Sequence, residues 1–196
     1  MERLIEFYFD FISPFSYFAN VRLPTIATEH RYGLRYHPVN LKQLKLLAGN
    51  TGPATREIPT KLAYARIDQK RWAERYGIPV HPPQEYDSGL LNKGVFFAAD
   101  RQASQPYVSY VFHKVWGDGG PMTQEAFLRD ICQTLGWDCE DFLRFVRSDT
   151  ATARYDNSTE AAHDRGVFGV PSMMIGTEMW WGNDRLDFLQ EFLNAG

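Results

Sequence analysis

The chain has 196 residues, of which 44% are hydrophobic, 15% aromatic and 23% charged. This composition is typical of one large globular domain, or of a small domain with an insertion, and it excludes a disordered chain. The formal net charge of −3 gives no basic excess for binding nucleic acid or an anionic membrane surface.

The sequence has no pattern typical of a membrane span or a signal peptide. No apolar run approaches the roughly 18 residues of a span, and the carboxylates Glu2 and Glu6 interrupt the first residues. We therefore expect a cytoplasmic protein. Cys132 and Cys139 form neither a CxxC pair nor a metal knuckle, so both are predicted to be small buried hydrophobic residues.

The first forty residues have the pattern of a β-α-β unit. Hydrophobic and polar residues alternate from Leu4 to Phe11, which predicts a strand. Ser13 and Pro14 are typical of an N-cap and a first helical residue, so a helix is predicted from there to near Gly33. A second strand is predicted over 34–39, and this order favours a parallel pair with a right-handed crossover.

The middle of the chain is predicted to be helical, and its end returns to mixed structure. Helices are predicted over 41–48, 59–76, 90–116 with a break near Pro106, 123–135 and 141–146. A helix over 150–165, strands over 172–175 and 178–181, and a helix over 184–193 follow. Gly176 and Thr177 are predicted to form the turn between the two strands.

The order of these elements predicts an α/β, thioredoxin-like fold with a large all-helical insertion. The discontinuous thioredoxin-like domain is predicted over 1–40 and 150–196, and the helical insertion domain over 41–149. The insertion is expected to cover one end of the sheet, where the carboxyl ends of strands meet helix N-termini and where open α/β sheets bind ligands.

The segment Ser13-Pro14-Phe15-Ser16 is the first candidate site. The free N–H groups and the dipole of a helix N-terminus favour a negative charge there. Both cysteine positions of a thioredoxin-like Cys-x-x-Cys loop are serines, which excludes dithiol exchange. The Ser13 hydroxyl could instead donate a hydrogen bond to the thiolate of a ligand. The simpler alternative is a plain N-cap, and no adjacent histidine supports a serine-nucleophile triad.

Two further candidates lie near the C-terminus. In a thioredoxin fold a proline at Pro171 is cis and faces the first loop, which leaves the backbone of Val170 free to pair with an extended peptide such as glutathione. The alternative is a proline that starts a strand. Asn183 and Asp184 begin a helix, and they could either receive the carboxylate and ammonium of a γ-glutamyl group or simply cap the helix.

Two polar residues of the predicted insertion could meet an anionic group. Asn50 lies in a Gly-Asn-Thr-Gly-Pro turn, and Lys61 lies at the start of a helix. The alternatives are that Asn50 is a turn former and that Lys61 is solvated surface. The five histidines have no metal-ligand spacing, so no metal site is expected.

Four motifs, at residues 9–17, 49–53, 168–171 and 179–185, closely resemble one group of proteins. They include Ser-Pro-Phe-Ser, Gly-Val-Pro and Trp-Trp-Gly-Asn-Asp-Arg. The sequence resembles the family of 2-hydroxychromene-2-carboxylate isomerases, which belongs with the kappa-class glutathione transferases and the DsbA-like proteins. The resemblance spans essentially the whole chain.

This resemblance implies an enzyme of naphthalene and other aromatic hydrocarbon degradation. Such an enzyme uses glutathione to interconvert 2-hydroxychromene-2-carboxylate and trans-o-hydroxybenzylidenepyruvate, by thiolate addition, bond rotation and elimination. Ser13 matches the serine that contacts the glutathione sulfur, and Val170 with Pro171 matches the backbone contact. Asn183 and Asp184 match the γ-glutamyl contacts. A homodimer is also implied.

The resemblance places Asn50 and Lys61 near the active site, where they would contact the substrate. Two alternatives remain open at this stage. The first is a kappa-type transferase, in which glutathione stays attached to an electrophile. The second is a non-catalytic DsbA-like module that binds extended peptides.

Overall fold

The computed structural model describes residues 3–195, so Met1, Glu2 and Gly196 at the ends of the predicted domain lie outside the described residues. Within this range four strands form one sheet with the order β2-β1-β3-β4. The strands are β1 (Leu4–Phe9), β2 (Gly33–Pro38), β3 (Ser172–Ile175) and β4 (Glu178–Trp181). β1 pairs parallel with β2 and antiparallel with β3, and β3 pairs antiparallel with β4.

Nine α-helices within the described range connect and cover these strands. The first helices are α1 (Pro14–Glu29), α2 (Leu41–Leu47), α3 (Pro59–Tyr76) and α4 (Gly89–Ala99). The later ones are α5 (Ser104–Phe112), α6 (Glu125–Leu135), α7 (Cys139–Val146), α8 (Asp149–Asp164) and α9 (Leu186–Ala195). Short turns of 3-10 helix lie at Thr55–Glu57 and Asn183–Arg185, and a π-helical turn at His113–Gly117.

Several predicted boundaries differ from the structure, and three of these differences have a clear local reason. β1 ends at Phe9 rather than Phe11, because the chain turns where the Ser13 N–H donates to the Asp10 carbonyl at 3.0 Å. α1 ends before Gly33, because Arg31 adopts a left-handed φ of 60°. The long helical segment breaks at residues 100–103, where Gln102 has a φ of 56°, and Pro106 lies in the first turn of α5, where its missing N–H costs nothing.

One aromatic core spans both predicted domains, the thioredoxin-like domain and the helical insertion. Phe9, the last residue of β1, and Phe11, in the loop that follows, contact Phe112 of α5, with ring centroids 5.5 and 4.7 Å apart. The indole N–H of the buried Trp116 donates to the Phe11 carbonyl at 2.8 Å. The sheet and the helices between residues 41 and 149 therefore share their buried surface, and the division into two domains stays a prediction.

The remaining general expectations concern cysteines and membranes. Cys132 is buried and Cys139 is half-buried, and neither forms a disulfide. Burial raises the pKa of the Cys132 thiol to about 12, which makes it a poor nucleophile. Within residues 3–195, no helix combines the length and the apolar character that crossing a bilayer requires.

Candidate functional site

Ser13 lies at the junction between β1 and α1. It is the N-cap of α1, with extended backbone angles of φ −96° and ψ 114°, and its Oγ accepts a hydrogen bond from the Ser16 N–H at 3.2 Å. Pro14 follows at the first helical position, where its fixed φ starts the helix. The predicted N-cap geometry is therefore present, which holds the Ser13 side chain against the positive end of a 16-residue helix.

The Ser13 hydroxyl keeps its proton available. Among the described residues, Ser13 Oγ accepts one hydrogen bond and donates none. Ser16, the second serine of the Ser-Pro-Phe-Ser segment, is fully buried, and its Oγ has no partner in that same range. A hydroxyl donor and a helix N-terminus are together suited to an anion, and a thiolate is one such anion.

Val170 and Pro171 lie beside the end of the strand that carries the first loop. β1 and β3 are paired up to Tyr8 and Ser172, so Pro171 comes next to the last residue of β1. The Val170–Pro171 peptide bond is cis. Neither the N–H nor the C=O of Val170 is paired with another group within residues 3–195. This free backbone could pair with an extended ligand as a strand does.

The turn after β4 is tied to the same loop. The Gly182 N–H donates to the Pro171 carbonyl at 2.9 Å, and the Trp181 indole packs on Gly169 so closely that a Cβ there would lie 2.8 Å from its Nε1. Asn183 is buried, at 4% exposure, whereas Asp184 is half-exposed and pairs with Arg185 at 3.5 Å. The structure thus places these segments side by side.

A cavity of about 470 Å³ lies beside the Ser13 loop, which contributes Asp10 and Ile12 to its wall. Ile12 and Asn50 line it, together with cations that sequence analysis missed, namely Lys42, Lys45 and Arg56. The same wall also carries the carboxylates of Asp10, Glu57 and Asp87. A cation at a cavity wall can form a charge-assisted hydrogen bond with a ligand carboxylate. No pattern in the sequence distinguished these cations from solvated surface, because the wall is assembled from separate segments.

Lys61 lies elsewhere. It lines a second cavity of about 410 Å³ with Phe15, Tyr64 and Asp68. The 3-10 turn Thr55–Glu57 contributes residues to both cavities. Asn50 and Lys61, either of which was expected to meet an anionic group, therefore line different cavities. The loop around Ser13 contributes Ile12 to the larger cavity and Phe15 to the smaller one.

Asp10 forms a buried polar cluster that the sequence analysis did not identify. Its carboxylate is 2% exposed and accepts hydrogen bonds from the Asn92 side chain at 2.8 Å and from the Ser88 hydroxyl. Burial raises the pKa of Asp10, and the hydrogen bonds from Ser88 and Asn92 act against that rise. Asp10, Ser88 and Tyr155 also contribute to the wall of the larger cavity.

Sequence analysis predicted no metal site at the histidines. No three His, Cys, Asp or Glu side chains of residues 3–195 are placed so that they could hold a metal ion. His37 lies on the sheet instead, where it stacks on Tyr8 with ring centroids 4.7 Å apart.

Comparison with known proteins gives a consistent assignment. The model of the DSBA-like thioredoxin domain matches residues 4–194. The chain is 45% identical to the 2-hydroxychromene-2-carboxylate isomerase of Pseudomonas sp. (strain C18), over 95% of this chain and 88% of that one. It is 36% identical to glutathione S-transferase kappa 1 of Caenorhabditis elegans, over 96% of this chain and 90% of that one.

A solved structure shows the same relationship in three dimensions. The structure of a 2-hydroxychromene-2-carboxylate isomerase superposes with a TM-score of 0.94 and 43% identity, and it covers 98% of this chain and 95% of its own. The predicted fold class, a thioredoxin-like α/β fold with helices inserted between its strands, is therefore confirmed. The resemblance inferred from the four motifs is confirmed as well.

Proposed function

The chain belongs to the DSBA-like thioredoxin domains and, among them, to the 2-hydroxychromene-2-carboxylate isomerases, and from that premise we propose how it acts. It interconverts 2-hydroxychromene-2-carboxylate and trans-o-hydroxybenzylidenepyruvate with glutathione as cofactor. We also propose that this step serves aromatic hydrocarbon degradation and that the active form is a homodimer. The cytoplasmic location stays a prediction from the sequence.

The unpaired backbone of Val170 is the observation that carries the cofactor assignment. A peptide needs a donor and an acceptor at one residue to pair as an added strand, and Val170 offers both beside a cis proline. Asn183 and Asp184 stand at the end of the same hairpin, in reach of a group that carries both a carboxylate and an ammonium. These residues therefore fit glutathione, and a kappa glutathione S-transferase is among the relatives.

Each residue of the site has a distinct part in this proposal. Val170 and Pro171 hold the cysteinyl part of the tripeptide, while Asn183 and Asp184 hold its γ-glutamyl end. Glutathione supplies a thiolate, which adds reversibly to the conjugated carbon of the ring-opened substrate and lets a double bond become a rotatable single bond. The Ser13 hydroxyl donates a hydrogen bond to the thiolate sulfur, and the N-terminus of α1 favours the negative charge of that sulfur.

The larger cavity is the proposed substrate site. Lys45 and Arg56 offer positive charge for the substrate carboxylate, and Asn50 offers an amide at the same wall. Tyr86 lines the cavity and contacts the Trp116 ring, with centroids 6.4 Å apart, so a flat aromatic surface is present for a flat substrate. Lys61, in the second cavity, is a less direct candidate for the carboxylate.

The ultraviolet spectrum of 2-hydroxychromene-2-carboxylate, followed with and without glutathione, tests the proposal. We expect rapid equilibration with the trans product only when protein and glutathione are both present. Equal rates without glutathione would refute the cofactor role. No acceleration in any mixture would refute the substrate assignment and leave only the family membership.

A kappa-type transferase is the second candidate, because a kappa transferase is 36% identical over most of this chain. A transferase accumulates a stable conjugate and consumes glutathione, whereas the isomerase returns it. Thiol titration during turnover distinguishes the two. A non-catalytic peptide-binding module would show neither turnover nor a preference for glutathione over other peptides.

A further inference from the structure

The carboxylate of Asp10 accepts hydrogen bonds from separate parts of the chain. Oδ1 accepts from the Ile12 N–H at 3.1 Å, from Asn92 Nδ2 at 2.8 Å and from the Ser88 hydroxyl, and Oδ2 accepts from the Leu41 N–H at 3.0 Å. All of these partners are donors. An ionised carboxylate, which has only acceptor sites, matches such a set, and an amide of the same shape does not.

The cluster extends from Asp10 into the helices that cover the end of the sheet. Asn92 accepts a hydrogen bond from the Phe11 N–H at 3.4 Å and donates one to the Tyr155 hydroxyl at 2.7 Å. Asp10 thereby connects its own loop to α2, α4 and α8. The Asp10 carbonyl also accepts the Ser13 N–H at 3.0 Å, so the loop is held on both sides of Ile12.

Holding a loop in place with a buried carboxylate has a high cost in free energy. Moving a charge out of water costs several kcal/mol, and hydrogen bonds offset that cost only when they are complete. A neutral cluster would fasten the same elements at lower cost. The position of Asp10 suggests another use, because it lines the larger cavity while its backbone holds Ser13.

We infer that Asp10 is a positioning residue, whose carboxylate fixes the Ser13 hydroxyl relative to the bound thiolate and to the wall of the larger cavity. This inference rests on the proposed function, since it assumes a thiolate near Ser13. Asp10 acts through Ser13 and through the cavity wall rather than by contact with the sulfur.

Replacement of Asp10 by Asn distinguishes a positioning role from a direct effect of charge, because the two roles change the pKa of the bound glutathione thiol in opposite directions. If Asp10 positions Ser13, Asp10→Asn loosens the hydrogen bond to the thiolate, and the pKa of the bound glutathione thiol rises. If Asp10 acts by its charge, removing a negative charge favours the thiolate, and that pKa falls. We expect a rise of about one unit, a tenfold change in the ratio of thiolate to thiol.

The measurement is the ultraviolet absorbance of the glutathione thiolate against pH, at saturating glutathione, for four proteins. These are the wild type, Asp10→Asn, Ser13→Ala and the double variant. We expect a raised thiol pKa in both single variants and no further rise in the double variant, because Asp10 works through Ser13. An unchanged or lowered thiol pKa in Asp10→Asn, or additive effects in the double variant, would overturn the inference.

Two controls keep the result interpretable. Tyr110→Phe removes a hydrogen bond of 2.8 Å to Asp130 Oδ2, between α5 and α6 and outside the loop, and should lower stability without moving the thiol pKa. Ser88→Ala removes one donor to Asp10 and should raise that pKa less than Asp10→Asn does, which tests the inference if Asp10→Asn does not fold. A wild type that shows no bound thiolate at any pH would overturn the proposed cofactor and this inference together.

Discussion

The carboxylate of Asp184 occupies the space that a Cβ at Gly182 would fill. A Cβ at Gly182 would come within 2.3 Å of Asp184 Oδ1, and the backbone there has a φ of 112°, which side chains rarely adopt. The glycine therefore sets where the Asp184 carboxylate stands in the proposed γ-glutamyl site.

Gly182→Ala should weaken glutathione binding. The new methyl group displaces the Asp184 carboxylate, and we expect the dissociation constant for glutathione to rise about tenfold, which corresponds to about 1.4 kcal/mol. Isothermal titration calorimetry with glutathione measures it. Gly176→Ala is the matched control, because Gly176 also has a positive φ of 61° but no atom within 4 Å of a Cβ. Equal losses of affinity in both variants would contradict the role of Asp184.

Ser13→Ala should affect both stability and catalysis. Loss of the N-cap should lower the free energy of unfolding by about 1 kcal/mol, and loss of the hydroxyl donor should slow turnover by at least about tenfold. Urea denaturation and steady-state rates measure the two effects. Ser148→Ala is the control, because Ser148 caps α8 through an Ala151 N–H bond of 3.1 Å and is outside the site. A rate loss as large in Ser148→Ala would show that stability alone explains the effect.

Lys45→Met should raise the KM for the aromatic carboxylate more than it lowers kcat. Lys45 lines the larger cavity, where a charge-assisted hydrogen bond to a substrate carboxylate contributes about 1.5–3 kcal/mol. We therefore expect KM to rise about tenfold or more. Lys61→Met removes the same charge from the smaller cavity and should change KM less. The reverse order of effects would place the substrate carboxylate beside Lys61.

His37 should make the protein less stable in mild acid. Burial lowers the pKa of His37 from 6.5 to about 4, although Glu6 opposes the shift, while Arg35 and Arg165 add to it. Between these two values the unfolded chain binds a proton that the folded chain does not, so the free energy of unfolding falls as pH decreases from 6.5 toward 4.

His37→Phe tests this dependence. The variant keeps a ring to stack on Tyr8 and removes the titration, so the decrease in stability from pH 6.5 to pH 4 should be smaller than in the wild type. Urea midpoints across this range give the comparison. If the two proteins show the same slope, other groups account for the acid sensitivity.

Local signals predicted the elements whose ends they control. The predicted bounds of α3, Pro59–Tyr76, match the structure, in which Pro59 starts the helix and Gly77, with a φ of 64°, ends it. The turn at Gly176, where φ is 61°, likewise set the hairpin of β3 and β4. In the long helical segment the proline was the misleading signal, since Gln102 and not Pro106 breaks the helix.

The candidate site was predictable only in part, for a related reason. Ser13 and Pro171 were identified because each stands at a characteristic place in a thioredoxin-like order of elements. The partners of Asp10 were not, because Ser88 and Asn92 are 78 and 82 residues away along the chain. No local pattern marks such a pairing, and the same holds for the cations that meet at the larger cavity.

The continuous aromatic core limits which parts of this enzyme can change to give a new substrate preference. Phe9 at the end of β1 and Phe11 in the loop that follows are packed against Phe112 of the helical region, so the two regions should melt in a single cooperative transition. An exchange of the whole helical region between relatives would then need matching changes in the sheet. New substrate preferences are more accessible through polar side chains that line the larger cavity, such as Lys42 and Asn50, which are outside that aromatic core.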